Sequence, residues 1–225
     1  MDVIRNIIEW LINFVLHMDK ELPIIVNSIG SLTYLALFGM IFIETGVVIL
    51  PFLPGDSLLF AAGAIAALPG SGLNPFLLHV LMAIAAVLGD TANYWIGHSI
   101  GPKVFTTESR WLKKEYLDRT HTFYERHGGK TIFLARFVPI IRTFAPFVAG
   151  VGEMTYTHFL SYNVFGGIIW TGLFVWGGYF FGSQPFVKNN FSLVIIAIIV
   201  ISLFPAVWEY LKTKMVKPKQ PSSVE

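Results

Sequence analysis

The feature that most constrains the fold of this chain is a pair of arginines in an apolar segment broken by prolines. Thr131 to Gly150 reads TIFLARFVPIIRTFAPFVAG, and its only charged residues are Arg136 and Arg142. At the centre of a membrane-spanning helix each arginine would cost about 2.5 to 3.5 kcal/mol. We therefore expect the segment to face protein or water rather than lipid, and Pro139 and Pro146 to interrupt its helix.

A second segment of this kind lies upstream. Ile43 to Gly63 is also apolar and proline-broken, and it carries Glu44 and Asp56. Non-helical backbone is tolerated inside a bilayer only where it is buried in protein or lines a cavity. Both segments are therefore predicted to form re-entrant hairpins, at 43–69 and 131–150, whose tips meet near the midplane.

The composition places these hairpins in a membrane protein. Hydrophobic residues make up 54% of the chain and charged residues 13%, which excludes an ordinary soluble domain. A spanning helix needs about 20 mainly apolar residues. Four runs qualify: Ile29–Leu50, Pro75–Gly97, Thr155–Gly182 and Phe191–Leu211. The predicted fold is thus an all-α polytopic membrane protein, one integral domain over residues 1–225, with about four transmembrane helices, two re-entrant hairpins and an interfacial amphipathic helix at 1–20.

The distribution of basic residues predicts the topology. Positive charge is concentrated in a loop at 98–130 and in a tail at 212–225, which the positive-inside rule assigns to the cytoplasm. The connections at 68–74 and 183–190 contain a single charged residue, Lys188, and are predicted to lie outside. Both termini are then cytoplasmic, and the hairpins enter from opposite faces. This arrangement is typical of an inverted-repeat transporter with a substrate site near the midplane.

The charged residues of the hairpins are the candidate site. Arginine suits phosphate because its planar group donates two parallel hydrogen bonds and stays charged, so Arg136 and Arg142 are predicted to bind a substrate phosphate. Glu44 and Asp56 are predicted to couple protons. Two structural explanations stay open: the arginines could simply pair with these carboxylates, and Asp56 could cap a helix. The supporting residues are Asp90, Asn93, Pro54, Gly55, Pro139 and Pro146.

Asp90 and Asn93 stand three residues apart in AAVLGDTANYWIG and so share one helix face. We interpret them as a polar contact between helices, with close packing at the neighbouring glycines. A proton relay through Asp90 is the alternative interpretation.

Two long motifs connect the chain with a known family. ETGVVILPFLPGDSLLF, followed by a helix with a GD pair, and FYERHGGKTIFLARFVPIIRTFAPFVAG resemble the bacterial DedA family, related to the SNARE-associated Golgi protein group. The resemblance covers about Phe14 to Phe204. It implies an inner-membrane protein that moves lipid head groups, notably undecaprenyl phosphate, depends on the proton motive force and supports envelope integrity. It also implies that the family's required residues correspond to Glu44, Asp56, Arg136 and Arg142.

Residue chemistry and this resemblance together predict a flippase for a lipid phosphate. Its partners would be membrane lipids, either undecaprenyl phosphate or a phospholipid head group, together with protons. No nucleic acid, cofactor, metal or catalytic residue is expected, and whether the unit is a homo-oligomer stays open. Three alternatives remain: a proton-coupled transporter of a small ion or solute, an intramembrane protease with Asp56 and Asp90 as its dyad, and a purely structural protein.

Overall fold

The computed structural model describes residues 24, 26, 28–47, 55–104 and 128–215, and every regular element in these ranges is a helix. The helices are α1 (Leu32–Gly46), α2 (Gly55–Ala66), α3 (Pro75–Val104), α4 (Pro139–Val151), α5 (Tyr156–Phe181), α6 (Pro185–Asn189) and α7 (Phe191–Met215). Positions 128–135 are also helical. The predicted helix at 1–20, Pro54, most of the loop at 98–130 and most of the tail at 212–225 lie outside the described residues.

Two of the described helices are long and apolar enough to cross a bilayer. They are Pro75–Ile100 of α3 and all of α5, with 26 residues each. At 1.5 Å per residue such a helix exceeds the hydrocarbon thickness of about 30 Å. The apolar helices α1, α2 and α4 are shorter, as is the apolar part of α7, Phe191–Ser202. The all-helical class is confirmed, whereas four crossings and re-entrant entry stay predictions.

Helix α1 ends earlier than the run Ile29–Leu50 predicted. Its last residue is Gly46, and Val47 has extended backbone angles of −112° and 108°. The buried residues of α1 recur at helical spacing, at Thr33, Leu37, Ile41, Glu44, Thr45 and Gly46, and this face packs on α3. A Cβ at Gly46 would lie 3.3 Å from the backbone of Gly89. The two helices therefore approach closely at the level of Glu44.

Helix α2 is a short helix enclosed by protein. All 12 of its residues are buried, and at about 18 Å it reaches roughly half of the hydrocarbon core. It packs chiefly against α5. Gly63 makes this approach possible, because a Cβ there would lie 2.9 Å from the carbonyl carbon of Val175. The first turn of α2, which contains Asp56, is consequently buried inside the molecule.

The second predicted hairpin is a helix, a break and another helix. The helical stretch 128–135 ends in turns at 136–138, and α4 begins at Pro139. Proline fits the first position of a helix because the amide hydrogen it lacks would have no partner there. The break predicted at Pro139 is thus confirmed, and it places Arg136 before the helix and Arg142 in its first turns.

Two apolar clusters flank a polar layer. Along α3 the first cluster reaches Ala86 and the second begins at Tyr94; along α5 the second contains Phe159 and the first contains Trp170. Asp90 and Asn163 lie in the intervals between them. Elsewhere large apolar side chains are exposed, including Leu35, Leu134, Leu173, Ile201 and Phe204. An apolar exterior around a polar layer is typical of a protein in lipid.

Candidate functional site

Five ionisable side chains are buried in the described part of the polar layer. Their exposed fractions are 2% for Glu44, 9% for Asp56, 2% for Asp90, 2% for Arg136 and 5% for Arg142. Charged groups are almost never this buried unless they are paired. Each of these is paired, and the pairs join elements that are far apart in sequence.

Arg142 contacts both carboxylates of the first hairpin. Its Nη1 donates to Asp56 Oδ1 at 2.8 Å, and its Nη2 forms an ion pair with Glu44 Oε1. Glu44 also accepts a hydrogen bond from the backbone N–H of Gly55 at 3.2 Å. A Cβ at Gly55 would overlap the Glu44 carboxylate, so only glycine allows this approach. The N-terminal end of α2, with its partial positive charge, thus stabilises Glu44 together with Arg142.

Asp56 has donors on both carboxylate oxygens. Oδ1 accepts from Trp170 Nε1 at 2.9 Å as well as from Arg142, and Oδ2 accepts from Ser202 Oγ at 2.7 Å. Four helices therefore meet at this carboxylate: α2, α4, α5 and α7.

Arg136 belongs to a second group of polar residues. Its Nη2 pairs with Asp90 Oδ2 and with Asn163 Oδ1, and it lies 3.4 Å from the Asn163 carbonyl oxygen. Asn163 Nδ2 in turn donates to the Val87 carbonyl at 3.1 Å. Gly166 leaves room for the arginine, since a Cβ there would lie 3.2 Å from Nε. The break before α4 is thereby attached to α3 and α5.

This second group is less completely bonded than the first. Among the described residues, Arg136 Nη1 and Asp90 Oδ1 are buried and have no hydrogen-bond partner. A buried polar atom without a partner costs about 1 to 3 kcal/mol, and more when the group is charged. The Arg136–Asp90 pair is therefore weaker than the pairs that Arg142 forms with Glu44 and Asp56.

Trp170 connects the two groups. Its ring centroid lies 4.6 Å from Cζ of Arg142 and 5.9 Å from Cζ of Arg136. Both distances are within the range of cation–π attraction, which is about 6 Å. The side chain is 1% exposed. The arginines, six residues apart, thus face one aromatic ring while each binds its own acid.

Asn93 holds the two hairpins together just beside the charges. Its Nδ2 donates to the carbonyls of Thr45, at 3.2 Å, and of Thr143, at 2.7 Å. These residues follow Glu44 and Arg142 directly in sequence. The polar contact between helices expected of this pair is present for Asn93, whereas Asp90 of α3 pairs with Arg136 in the turns that precede α4. The interruption predicted at Pro146 is wrong, because Pro146 is buried inside α4, which continues to Val151. Its only local effect is that it cannot donate a hydrogen bond to the Arg142 carbonyl one turn before it.

The structure brings Glu44, Asp56 and Arg142 into contact, whereas Arg136, which also lies near Trp170, pairs with Asp90. It also adds partners that sequence reasoning missed. The missed residues are Trp170, Asn163 and Ser202. Trp170 lies near the middle of α5 rather than at an end, where interfacial tryptophans are found. Asn163 is a polar residue inside a spanning run, which is a usable signal. Ser202 has no such signal.

The charges define what this site can do. Three carboxylates face two guanidinium groups, which gives a formal charge of −1 when all are ionised. The guanidinium groups could bind an anion only after carboxylates move away or take up protons, because like charges in a buried site repel strongly. The chemistry available is thus exchange of an anion at the buried arginines and of a proton at the carboxylates that pair with them.

Comparison with known proteins agrees with the membrane character of the fold. The model of the VTT domain matches residues 53–180, a range that includes Asp56, Asp90, both arginines and Trp170. No solved structure gives a significant match.

Several relatives are similar over most of the chain. Protein DedA of Escherichia coli (strain K12) is 53% identical over 210 residues, which cover 93% of this chain and 96% of that protein. An uncharacterized membrane protein of Mycobacterium tuberculosis (strain CDC 1551 / Oshkosh) is 47% identical over 178 residues, 79% of this chain and 78% of its own length. Inner membrane protein YghB of Escherichia coli (strain K12) is 30% identical over 90% of each chain. The chain therefore belongs to the DedA family of VTT-domain membrane proteins.

Proposed function

We propose that this protein is a flippase that moves a lipid phosphate, with undecaprenyl phosphate as the first candidate, across the bacterial inner membrane. Transport is coupled to the proton motive force and supports the cell envelope. The inner-membrane assignment rests on relatives with that name, such as YghB. In this proposal the protein is a carrier, without a catalytic residue or a cofactor.

The observation that carries the proposal is the bonding of Arg142. This buried guanidinium joins the two hairpins by binding Glu44 and Asp56, both from the first hairpin. A phosphate offers oxygens to the same planar set of donors. Substrate and carboxylates would therefore compete for one arginine, so the hairpins are joined directly when no substrate is bound and separated or bridged by phosphate when it is.

Proton coupling follows from the charge of the site. With a formal charge of −1 and three carboxylates, the site repels a phosphate unless negative charge is removed. Protonation of a displaced carboxylate removes it. Entry of the phosphate would then be accompanied by proton uptake, and the release of the phosphate on the other side by return of the carboxylate to Arg142.

Two other classes of function receive less support. A protease dyad needs two aspartates that share a proton, whereas Asp56 and Asp90 bind different arginines. A proton-coupled transporter of a small ion or solute is the second candidate. The excess carboxylate favours it, since a site of formal charge −1 suits a small cation or a proton.

Reconstituted protein tests the proposal. The purified full chain is placed in liposomes, and transbilayer movement of labelled undecaprenyl phosphate and of ordinary phospholipids is followed with and without a pH gradient. Wild type is expected to move undecaprenyl phosphate selectively and faster with the gradient. Arg142→Ala is expected to abolish movement. Arg142→Lys keeps the charge but loses the planar pair of donors, so it should also lose most activity.

The matched control is Lys130→Ala, which removes an exposed positive charge directly before the segment 131–150 that contains Arg142 and should leave transport unchanged. Thermal unfolding of each variant separates lost activity from lost structure. If the wild-type protein moves protons but no lipid, the flippase proposal is overturned and the proposal of a small-ion transporter is supported. A fully active Arg142→Ala variant would exclude any role for this arginine in substrate binding.

A further inference from the structure

Trp170 occupies an unusual position for a tryptophan in a membrane protein. It lies near the middle of α5 and is 1% exposed, far from the helix ends where tryptophan anchors a protein at the interface. Phe174 packs beside its ring at a centroid distance of 6.2 Å. Both the ring face and the Nε1–H of Trp170 are directed to charged groups. Packing alone would not require this arrangement, since an aliphatic side chain fills space without such contacts.

The donor of Trp170 converges with a donor of Arg142 on one oxygen. Trp170 Nε1 lies 2.9 Å and Arg142 Nη1 lies 2.8 Å from Asp56 Oδ1. The position of Oδ1 is thus built for an anionic oxygen that accepts two hydrogen bonds. A phosphate oxygen at this position would accept the same two donors. An indole N–H can only donate, so the position selects for an acceptor and against a cation.

The ring face of Trp170 stabilises Arg142 while a phosphate replaces the Asp56 carboxylate. When the phosphate displaces the Asp56 carboxylate, the Arg142 guanidinium loses one of its two carboxylate partners. The Trp170 ring, 4.6 Å from Cζ, still attracts the guanidinium and keeps it near the same place. Arg142 would then be presented to the incoming phosphate without a large rearrangement.

We propose that Trp170 is a phosphate-contacting residue: its Nε1–H donates a hydrogen bond to a phosphate oxygen of the substrate lipid at the position of Asp56 Oδ1, while its ring holds Arg142. The assignment rests on the proposed function and adds a residue to the substrate site. Because Trp170 contacts only the phosphate group in this assignment, the binding of lipids without a phosphate should not depend on Trp170.

Binding measurements with two lipids test the assignment. Dissociation constants of purified protein are measured for undecaprenyl phosphate and for undecaprenol, which lacks the phosphate. Trp170→Phe keeps an aromatic face and removes the donor. Loss of one hydrogen bond to a charged group corresponds to about tenfold or more in affinity. We expect a rise of about tenfold in the Kd for undecaprenyl phosphate, a larger rise in Trp170→Leu, and no change for undecaprenol.

Trp176→Phe is the matched control. It removes an indole N–H from the same helix, but that donor binds His79 Nδ1 at 3.2 Å instead of a group of the site. Its Kd values should equal those of wild type.

A second measurement does not depend on a stable Trp170 variant. Wild-type protein is labelled with ¹⁵N at the indole nitrogens of its six tryptophans, and the signals are assigned by replacing the other five one at a time. Undecaprenyl phosphate should shift the Trp170 Nε1–H signal and leave that of Trp176 in place. Undecaprenol should shift neither.

Each outcome decides between the two proposals. Wild type that binds undecaprenyl phosphate while Trp170→Phe binds it equally well, or while the Trp170 signal stays in place, would overturn the role of Trp170 alone. Wild type that binds no undecaprenyl phosphate would overturn the proposed function and the role of Trp170 with it.

Discussion

At the scale of single residues, the carboxylates differ in how completely they are bonded. Asp56 receives hydrogen bonds from Arg142, Trp170 and Ser202, which together reach both of its oxygens. Asp90 has one bonded oxygen, and its other oxygen is buried without a partner among the described residues. The Arg136–Asp90 pair should therefore separate more easily than the Arg142–Asp56 pair, because fewer hydrogen bonds to the carboxylate are broken.

The Arg136–Asp90 pair can be tested for a purely structural role. Arg136→Met leaves Asp90 as an uncompensated buried charge, which costs about 3 to 5 kcal/mol and should lower Tm by about 10 °C. The double variant Arg136→Met/Asp90→Leu replaces the pair by apolar residues and should recover most of that loss. Thermal unfolding in detergent measures both effects.

Transport separates the structural role from the functional one. The double variant is expected to be stable and inactive, because the sequence predicts that Arg136 binds the substrate phosphate together with Arg142. A stable double variant with wild-type transport would show that the pair only holds helices together. A double variant no more stable than Arg136→Met would contradict the compensation on which the test relies.

The sequence was sufficient to single out charges but not to pair them. An arginine or carboxylate in an apolar run is visible from composition alone. Its partners come from positions 11 to 146 residues away, and a pattern with a period of a few residues carries no information about such contacts. Trp170 and Ser202 were missed for this reason, since both residue types are ordinary in membrane helices.

At the scale of helices, glycine determines how closely neighbours approach. A Cβ at Gly178 of α5 would lie 2.8 Å from the carbonyl carbon of Phe60 and 2.9 Å from the amide nitrogen of Ala64. Both are backbone atoms of α2, which cannot move aside as a flexible side chain can. The contact keeps α2 against α5 and thereby positions Asp56 beside Trp170.

Adjacent glycines of α5 provide a test with its own control. Gly178→Ala should separate α2 from α5 and destabilise the protein by about 1 to 3 kcal/mol. At Gly177 the nearest atom to a new Cβ is 3.9 Å away, so Gly177→Ala should be neutral, or stabilising by up to about 1 kcal/mol through helix propensity. Thermal unfolding compares them, and equal Tm values for the two variants would refute the packing argument.

Helix boundaries could be predicted where chemistry marks them. One apolar run begins at Pro75, where α3 also begins. Another ends at Gly182, one residue after the end of α5 at Phe181. The first run continued past Gly46 in sequence because Val47, Val48 and Ile49 are apolar. Helix α1 ends nevertheless at Gly46, beside the close approach to Gly89. The hydropathy of a sequence cannot predict a helix end that is determined by tertiary contacts.

At the scale of the whole molecule, the two halves carry opposite charges on similar elements. Each has a short helix with a buried charged side chain close to its N-terminal end, Asp56 as the second residue of α2 and Arg142 as the fourth residue of α4. Their ion pair joins the halves. This is what two hairpins entering from opposite faces would produce, although the direction of entry is a prediction that needs a test of topology.

Counting crossings gives that test. Between Ser71, which precedes α3, and Ser183, which follows α5, the chain contains two spanning helices and the hairpin at 131–150. If the hairpin returns to the face it entered, the number of crossings is even and both serines lie outside. If the hairpin spans the membrane, they lie on opposite sides. The chain has no cysteine, so Ser71→Cys, Ser183→Cys and Ser223→Cys, the last in the tail that is predicted to be cytoplasmic, can each be labelled alone. We expect a membrane-impermeant maleimide to label the first two in intact spheroplasts and the third only after lysis; labelling of just one of Ser71→Cys and Ser183→Cys before lysis would rule out a re-entrant second hairpin.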